Sequence, residues 1–185
     1  MVRPDVKLPK AEEVKIFINN HVSSNRLRDE LNAFVDYFWG DFLKAPAARF
    51  HHSNWAGGLA HHTFNVMRWI VKISGQDAPE LWDSLVKVAL VHDFGKLNCY
   101  MVNGKGNVVY NKSAQMGHDF YTLFRLQAYG MKLEEEEFNA ILMHHGGWST
   151  AANDKQVDAG RLARFLHAAD LIASGEEEEE HGHRG

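Results

Sequence analysis

The sequence predicts an all-α protein, a bundle of about seven helices with one short hairpin-like insertion. Two observations carry that prediction. Apolar residues recur at spacings of three and four along most of the chain. Only one segment, YMVNGKGNVVY (100–110), sets β-prone runs on either side of a turn signal. A third observation bounds it: 185 residues, 45% hydrophobic and 24% charged, are enough for one sizeable core in a globular chain.

The elements follow in order. AEEVKIFINNHV (11–22) is amphipathic, and in RLRDELNAFVDYFWGDFLK (26–44) Leu27, Leu31, Phe34, Val35 and Phe38 fall at helical spacing. A histidine-bearing loop, HHSNWAGG (51–58), leads into a helix over 59–73. Pro79 is placed to open a helix that runs to Phe94. Helices over 113–130, 134–145 and 159–174 complete the bundle, with HGGWSTAANDKQ (145–156) as a loop. The expected organisation is N-terminal helices (1–45) packed on a domain spanning 46–174. The like-charge block GEEEEEHGHRG (175–185) is expected to be a disordered acidic tail.

Bulk properties narrow the function classes. A net charge of −4 argues against a protein living by a broad phosphate-binding surface. MVRPDVKLPKAEE has no apolar signal region, and no apolar run approaches the roughly 20 residues that span a bilayer. The expectation is a cytoplasmic protein with no membrane partner. Cys99 is the single cysteine, which excludes an intrachain disulfide and a Cys-rich zinc site. The unusual number is twelve histidines, of which only His181 and His183 lie in the tail.

Several of these histidines, and two aspartates, sit where a core residue is expected. In LAHHTFNVMRWIVKI (59–73) the apolar stripe takes in His62 and leaves His61 and Arg68 on the polar face. The next helix buries nearly its whole circumference through Leu81, Trp82, Leu85, Val86, Val88, Ala89 and Leu90, yet His92 and Asp93 follow at once, with Gly95 and Lys96 behind them. A carboxylate buried there needs a cation or a metal. His118 opens the helix HDFYTL. His144 and His145 end ILMHH, and the stripe Phe138, Ile141, Leu142 mildly favours His145 as the inward one. Asp170 lies among apolar neighbours in RFLHAADLIA. His62, His92, Asp93, His118, His144 or His145, and Asp170 thus form a set suited to two divalent ions. Fe, Mn, Co or Ni fit it better than a closed structural Zn, because positions stay open for water and substrate.

Set in order as H…HD…H…H…D, these residues make the chain resemble the HD-domain superfamily over roughly residues 46–174. The carrying motif is HDFGK, placed between GGLAHHT (57–63) and HAADLIAS (167–174). PAARFHHSNWAGGLAHHT (46–63) is similar to the entry of HD domains in bacterial 3′–5′ exoribonucleases and relaxase-associated proteins, and that alignment also selects His62. GHDFYTL (117–123) and ILMHH (141–145) are locally similar to the diiron oxygenases of the myo-inositol oxygenase type, and that alignment leans to His144 as ligand.

The resemblance implies a metal-dependent phosphohydrolase or phosphodiesterase acting on a small nucleotide-like substrate, with RNA as a less favoured one. Asp93 would bridge the metals and Lys96 would stabilise charge on the phosphate. His51, His52, Lys105, Lys112 and Trp148 are the candidates for contacting substrate, and the hairpin is a candidate lid. Two alternatives are an HD-type diiron oxygenase acting on a small polar substrate and a non-catalytic regulatory HD module.

Overall fold

In the computed structural model, residues 3, 5–50, 53–75, 78–114, 116–146 and 160–180 are described. His51, His52 and Trp148 lie outside them. Helix α1 (Ala11–His21) is followed by α2 (Asn25–Phe42), which starts where the Ser24 hydroxyl accepts the Leu27 N–H at 3.3 Å. The buried face of α2 is Leu31, Phe34, Val35, Phe38, Trp39 and Phe42. Its aromatic rings receive Phe94, whose centroid lies 5.0 Å from Phe34 and 4.6 Å from Phe38. This fixes the turn that carries His92 and Asp93. Aromatic pairs of this kind contribute about 0.5–1.5 kcal/mol each beyond the area they bury.

Helix α3 (Gly58–Ser74) begins after Gly57, whose φ of 94° favours glycine. A 3₁₀ turn at Pro79–Leu81 leads into α4 (Trp82–Val91), and a single turn of helix, α5 (Lys96–Cys99), precedes strands β1 (Tyr100–Val102) and β2 (Val108–Tyr110). The strands pair antiparallel, with Tyr100 opposite Tyr110. Helices α6 (His118–Tyr129), α7 (Glu135–Met143) and α8 (Gly160–Glu180) close the bundle. α3 packs on α4 and α8, and α7 packs on α8. One continuous apolar core takes residues from α1 and α2 as well as from the later helices. The fold is therefore the all-α bundle expected: seven helices of nine residues or more among the described residues, plus the one-turn α5.

Four details differ from expectation. Helix α6 starts at His118 and not at 113, since residues 113, 114, 116 and 117 are not helical. The helix opened by Pro79 ends at Val91, so His92–Gly95 form a turn and not a last helical turn. The α7 face is phased differently. Glu137 is buried and accepts from Lys87 Nζ at 2.7 Å and Ser84 Oγ at 2.8 Å, whereas Phe138 is exposed. The buried face is thus Glu137, Ala140, Ile141 and His144, because an ion pair with α4 puts a carboxylate where hydrophobicity alone would not. Finally, residues 175–180 are helical: α8 runs through the acidic block expected to be disordered, and Glu177 is fully buried.

Candidate metal centre

His62 comes from the second turn of α3, His92 and Asp93 from the turn after α4, and His118 from the first position of α6. His144 and His145 follow the end of α7, and Asp170 comes from the middle of α8. Asp93 stands at the centre. Its Oδ2 lies 3.5 Å from His62 Nε2 and 3.3 Å from His92 Nε2, while its Oδ1 lies 3.4 Å from His118 Nε2 and 3.7 Å from His144 Nε2. Asp170 closes one side, 3.0 Å from His62 Nε2 through Oδ1 and 3.8 Å from His145 Nδ1 through Oδ2. His145 Nε2 closes the other, 2.9 Å from His118 Nε2. Three triads hold their donor atoms within 4.8 Å of one another: His62–His92–Asp170, His92–Asp93–His144 and His118–His144–His145. Both members of the His144–His145 pair reach the cluster, His144 fully buried and His145 at the edge with its side chain 33% exposed.

The imidazoles are aimed. His92 Nδ1 donates to the Ala89 carbonyl at 2.9 Å and His144 Nδ1 to the Ile141 carbonyl at 2.5 Å. A carbonyl can only accept, so each ring must present an Nε2 lone pair to the centre. His167 Nδ1 donates to the His144 carbonyl at 2.6 Å and steadies that turn. The backbone around His92 is held by Thr122, whose hydroxyl donates to the His92 carbonyl at 3.0 Å and accepts the Gly95 N–H at 2.8 Å.

The donor atoms fit a metal. His92 Nε2, His144 Nε2 and Asp93 Oδ1 are buried and make no hydrogen bond within the protein, while Asp93 Oδ2 has the Lys96 ammonium beside it. Each such buried group costs about 1–3 kcal/mol when unsatisfied. A ligand shared by these three converging atoms would satisfy them together. The donor types are imidazole and carboxylate with no thiolate, the set suited to borderline divalent ions.

Electrostatics prepare the imidazoles for this. Burial lowers His118 to about 3 against the pull of Asp93. Burial, with repulsion from His145 and His92, holds His144 well below its usual range. Burial lowers His145 as well. The shifts favour the neutral imidazole in all three, the form that can ligate a metal. His62 differs. Burial pushes it down, but Glu177 and Asp170 more than offset this and hold it at about 10. Its folded pKa lies above 7, so at neutral pH His62 carries a proton that a metal ion on Nε2 must displace. Metal loading at pH 7 is therefore expected to release about one proton from this site, and affinity should rise about tenfold per pH unit up to about 10. Calorimetric titration with Mn²⁺ in buffers of different ionisation enthalpy measures this, and zero release would contradict it.

Lys96, buried on α5, brings its Nζ to 2.5 Å from Asp93 Oδ2. Burial opposes its charge, but Asp93 and Asp170 keep its pKa raised, so it is an ammonium. The same pair works in reverse on Asp93: burial raises its carboxyl pKa, yet Lys96 and His92 hold it well below the usual range. Lys105, exposed in the hairpin turn, and Lys112, exposed just beyond β2, take no part in the ion-pair network around Asp93. Arg68 is exposed on the outer face of α3. His61, expected outside, is partly buried beside Ser53 and Asn65.

Sequence reasoning missed Glu177. It accepts from Ser53 Oγ at 2.7 Å and from Asn65 Nδ2 at 3.0 Å, and both its oxygens lie 3.3 Å from His62 Nδ1. One signal could have found it. Ala163, Leu166, Asp170, Ala173 and Glu177 recur at alternating spacings of three and four, so the inward stripe of α8 runs on into the acidic block.

Comparison with known proteins adds one finding. The chain is 24% identical over 176 residues to the 3′-5′ exoribonuclease YhaM of Listeria welshimeri, an alignment covering 91% of this chain and 55% of that enzyme. The chain thus spans about half the length of the curated relative it matches. No family model matches the chain. No solved structure matches it. Among the described residues, no helix is long and apolar enough to cross a membrane.

Proposed function

We propose that the protein is a metal-dependent phosphohydrolase of the HD type that cleaves a phosphodiester at a dinuclear centre. The observation that carries this reading is the placement of Asp93. One of its oxygens faces His62 and His92, the other faces His118 and His144, and a buried ammonium lies beside it. A carboxylate with each oxygen turned to its own pair of imidazoles is built to bridge. His62, His92, Asp93 and Asp170 would hold one ion; Asp93, His118, His144 and His145 would hold the other. Bound divalent ions supply Lewis-acid polarisation of a phosphoryl group and acidify an attacking water.

The chain's own residues do the rest. His92 and His144 keep fixed tautomers because their Nδ1–H groups are committed to backbone carbonyls. Lys96 holds positive charge beside Asp93, where it would stabilise charge growing on a phosphoryl oxygen in the transition state. The burial of Asp93 and His92 excludes bulk water from the inner face of the site, which strengthens each of these interactions.

The similarity to an exoribonuclease supports a nucleotide-containing substrate and a hydrolytic reaction. A small nucleotide-like phosphodiester suits the net charge of −4 better than a long polyanion does. The test is anaerobic hydrolysis of bis-p-nitrophenyl phosphate by Mn²⁺- or Fe²⁺-loaded protein, followed by dinucleotides and a short RNA. Metal-dependent release is the expected result, with dinucleotides cleaved faster than RNA. Protein shown to carry two ions that releases nothing but consumes O₂ would replace this reading with the diiron oxygenase. Inertness in both assays would replace it with a regulatory module.

A further inference from the structure

The geometry points to Glu177 as a positioning residue of the metal centre: it orients His62 and latches the loop at Ser53 to the same point, so the acidic C-terminal run is a working part of the site. This rests on the metal-centre reading above.

Glu177 is a fully buried carboxylate near the end of a helix whose neighbours Gly175, Glu176 and Glu179 are exposed. Such a group is retained at a cost unless its oxygens are satisfied, and here they are. Oε2 accepts from Ser53 Oγ, Oε1 accepts from Asn65 Nδ2, and both face His62 Nδ1. An Nδ1–H held by a carboxylate leaves Nε2 as the metal-facing nitrogen, and Nε2 is the atom that lies 3.0 Å from Asp170 and 3.5 Å from Asp93. Carboxylates hydrogen-bonded to a ligating histidine fix its tautomer and orientation and raise its basicity. Asp170 and Glu177 sit two turns apart on one face of α8, so one helix supplies a donor to the centre and the support for the histidine opposite it.

The second function of Glu177 is at Ser53. Ser53 is the described non-glycine residue with a positive φ, 49°, and it is fully buried. Backbone held in that region costs about 1–3 kcal/mol and persists only where its surroundings over-determine it. The Ser53 hydroxyl on Glu177 is one such restraint. Another is the close approach of Gly58, where a Cβ would lie 1.9 Å from the Ser53 carbonyl oxygen. Glu177 therefore links α8, α3 and the loop between α2 and α3 at one buried point. The neighbouring Glu176 adds a clamp on the outside, accepting from Trp69 Nε1 at 2.6 Å.

The test is titration of the metal-free full chain with Co²⁺, reading the visible d–d bands for affinity and ligand geometry, with circular dichroism and melting of the metal-free protein in parallel. Glu177→Ala should weaken Co²⁺ binding roughly 10–100-fold and alter the band pattern. Glu177→Gln keeps the shape and an acceptor oxygen, and should recover the band pattern with an intermediate affinity. Glu179→Ala, on the exposed side of the helix, should match wild type. If Glu177→Ala does not fold, Glu177→Gln and Ser53→Ala carry the comparison. Wild type that takes up no Co²⁺ would overturn the metal-centre reading itself. Wild type that binds Co²⁺, with Glu177→Ala and Glu177→Gln giving the same affinity and spectrum, would overturn the role of Glu177 alone.

Discussion

Asp93→Ala is expected to empty the proposed metal centre and to lower the proposed phosphodiesterase activity about 10³-fold or more, since bound ions would supply several kcal/mol of transition-state stabilisation. Asp93 meets four imidazoles and Lys96, more partners than any other donor in the cluster. Its loss also has a structural cost. Lys96 is 5% exposed and its charge is balanced through Asp93, 2.5 Å away. Removing one member of a buried pair typically destabilises by about 3–5 kcal/mol, because the other charge remains.

Two further variants separate the effects. Asp93→Asn retains size and one acceptor oxygen, so it should lose metal while keeping more of the melting temperature. The double variant Asp93→Ala/Lys96→Met removes both charges and should regain stability without regaining metal. Metal content by elemental analysis and melting of each variant are the measurements. Wild-type metal content in Asp93→Ala would mean that the ions bind elsewhere.

The sequence made some of this site legible and concealed the rest for physical reasons. His92 and Asp93 stood out because α4 is buried nearly all round: Leu85 to Val91 are all buried, and apart from Lys87 all apolar, so the next two polar residues had no solvent-facing side to occupy. His62 was legible from the phase of α3, which the structure keeps, with His62 fully buried and Arg68 exposed. The phase of α7 was harder to read. Its inward face includes Glu137, stabilised by Lys87 from another helix, and a pairing across helices leaves no trace in local periodicity. Glu177 was hidden in the same way. Five consecutive glutamates read as a solvated block, and only the partners His62, Asn65 and Ser53, more than 110 residues away, give one of them a reason to be buried. In each case hydrophobicity located the core, and the error fell on a carboxylate whose counterpart lies far off in the chain.

Gly95→Ala tests whether the centre depends on how closely its helices approach. The backbone of Gly95 is ordinary, with φ −66° and ψ −19°, so alanine meets no conformational objection there. Chain entropy alone predicts a gain of about 0.4–1 kcal/mol from such a change. The surroundings oppose it. A Cβ at Gly95 would lie 1.9 Å from the His118 carbonyl oxygen and 2.5 Å from the Thr122 nitrogen, both backbone atoms of α6. A carbon–oxygen contact needs about 3.3 Å, so the start of α6 would have to retreat by more than about 1 Å.

Overpacking of this kind usually costs about 1–3 kcal/mol, occasionally more, and exceeds the entropic gain. The displaced segment carries His118, and ligand constellations tolerate only about 0.5 Å of misplacement. It also carries Thr122, which holds the His92 and Gly95 backbone. Gly95→Ala should therefore lose both stability and metal. His118→Ala should lose metal from its own side of the centre with a smaller fall in melting temperature, because it leaves the helix contact intact. Melting and metal stoichiometry measured on the two variants together decide the point: a Gly95→Ala protein that melts higher than wild type with a full metal complement would show that α6 need not lie this close for the centre to form.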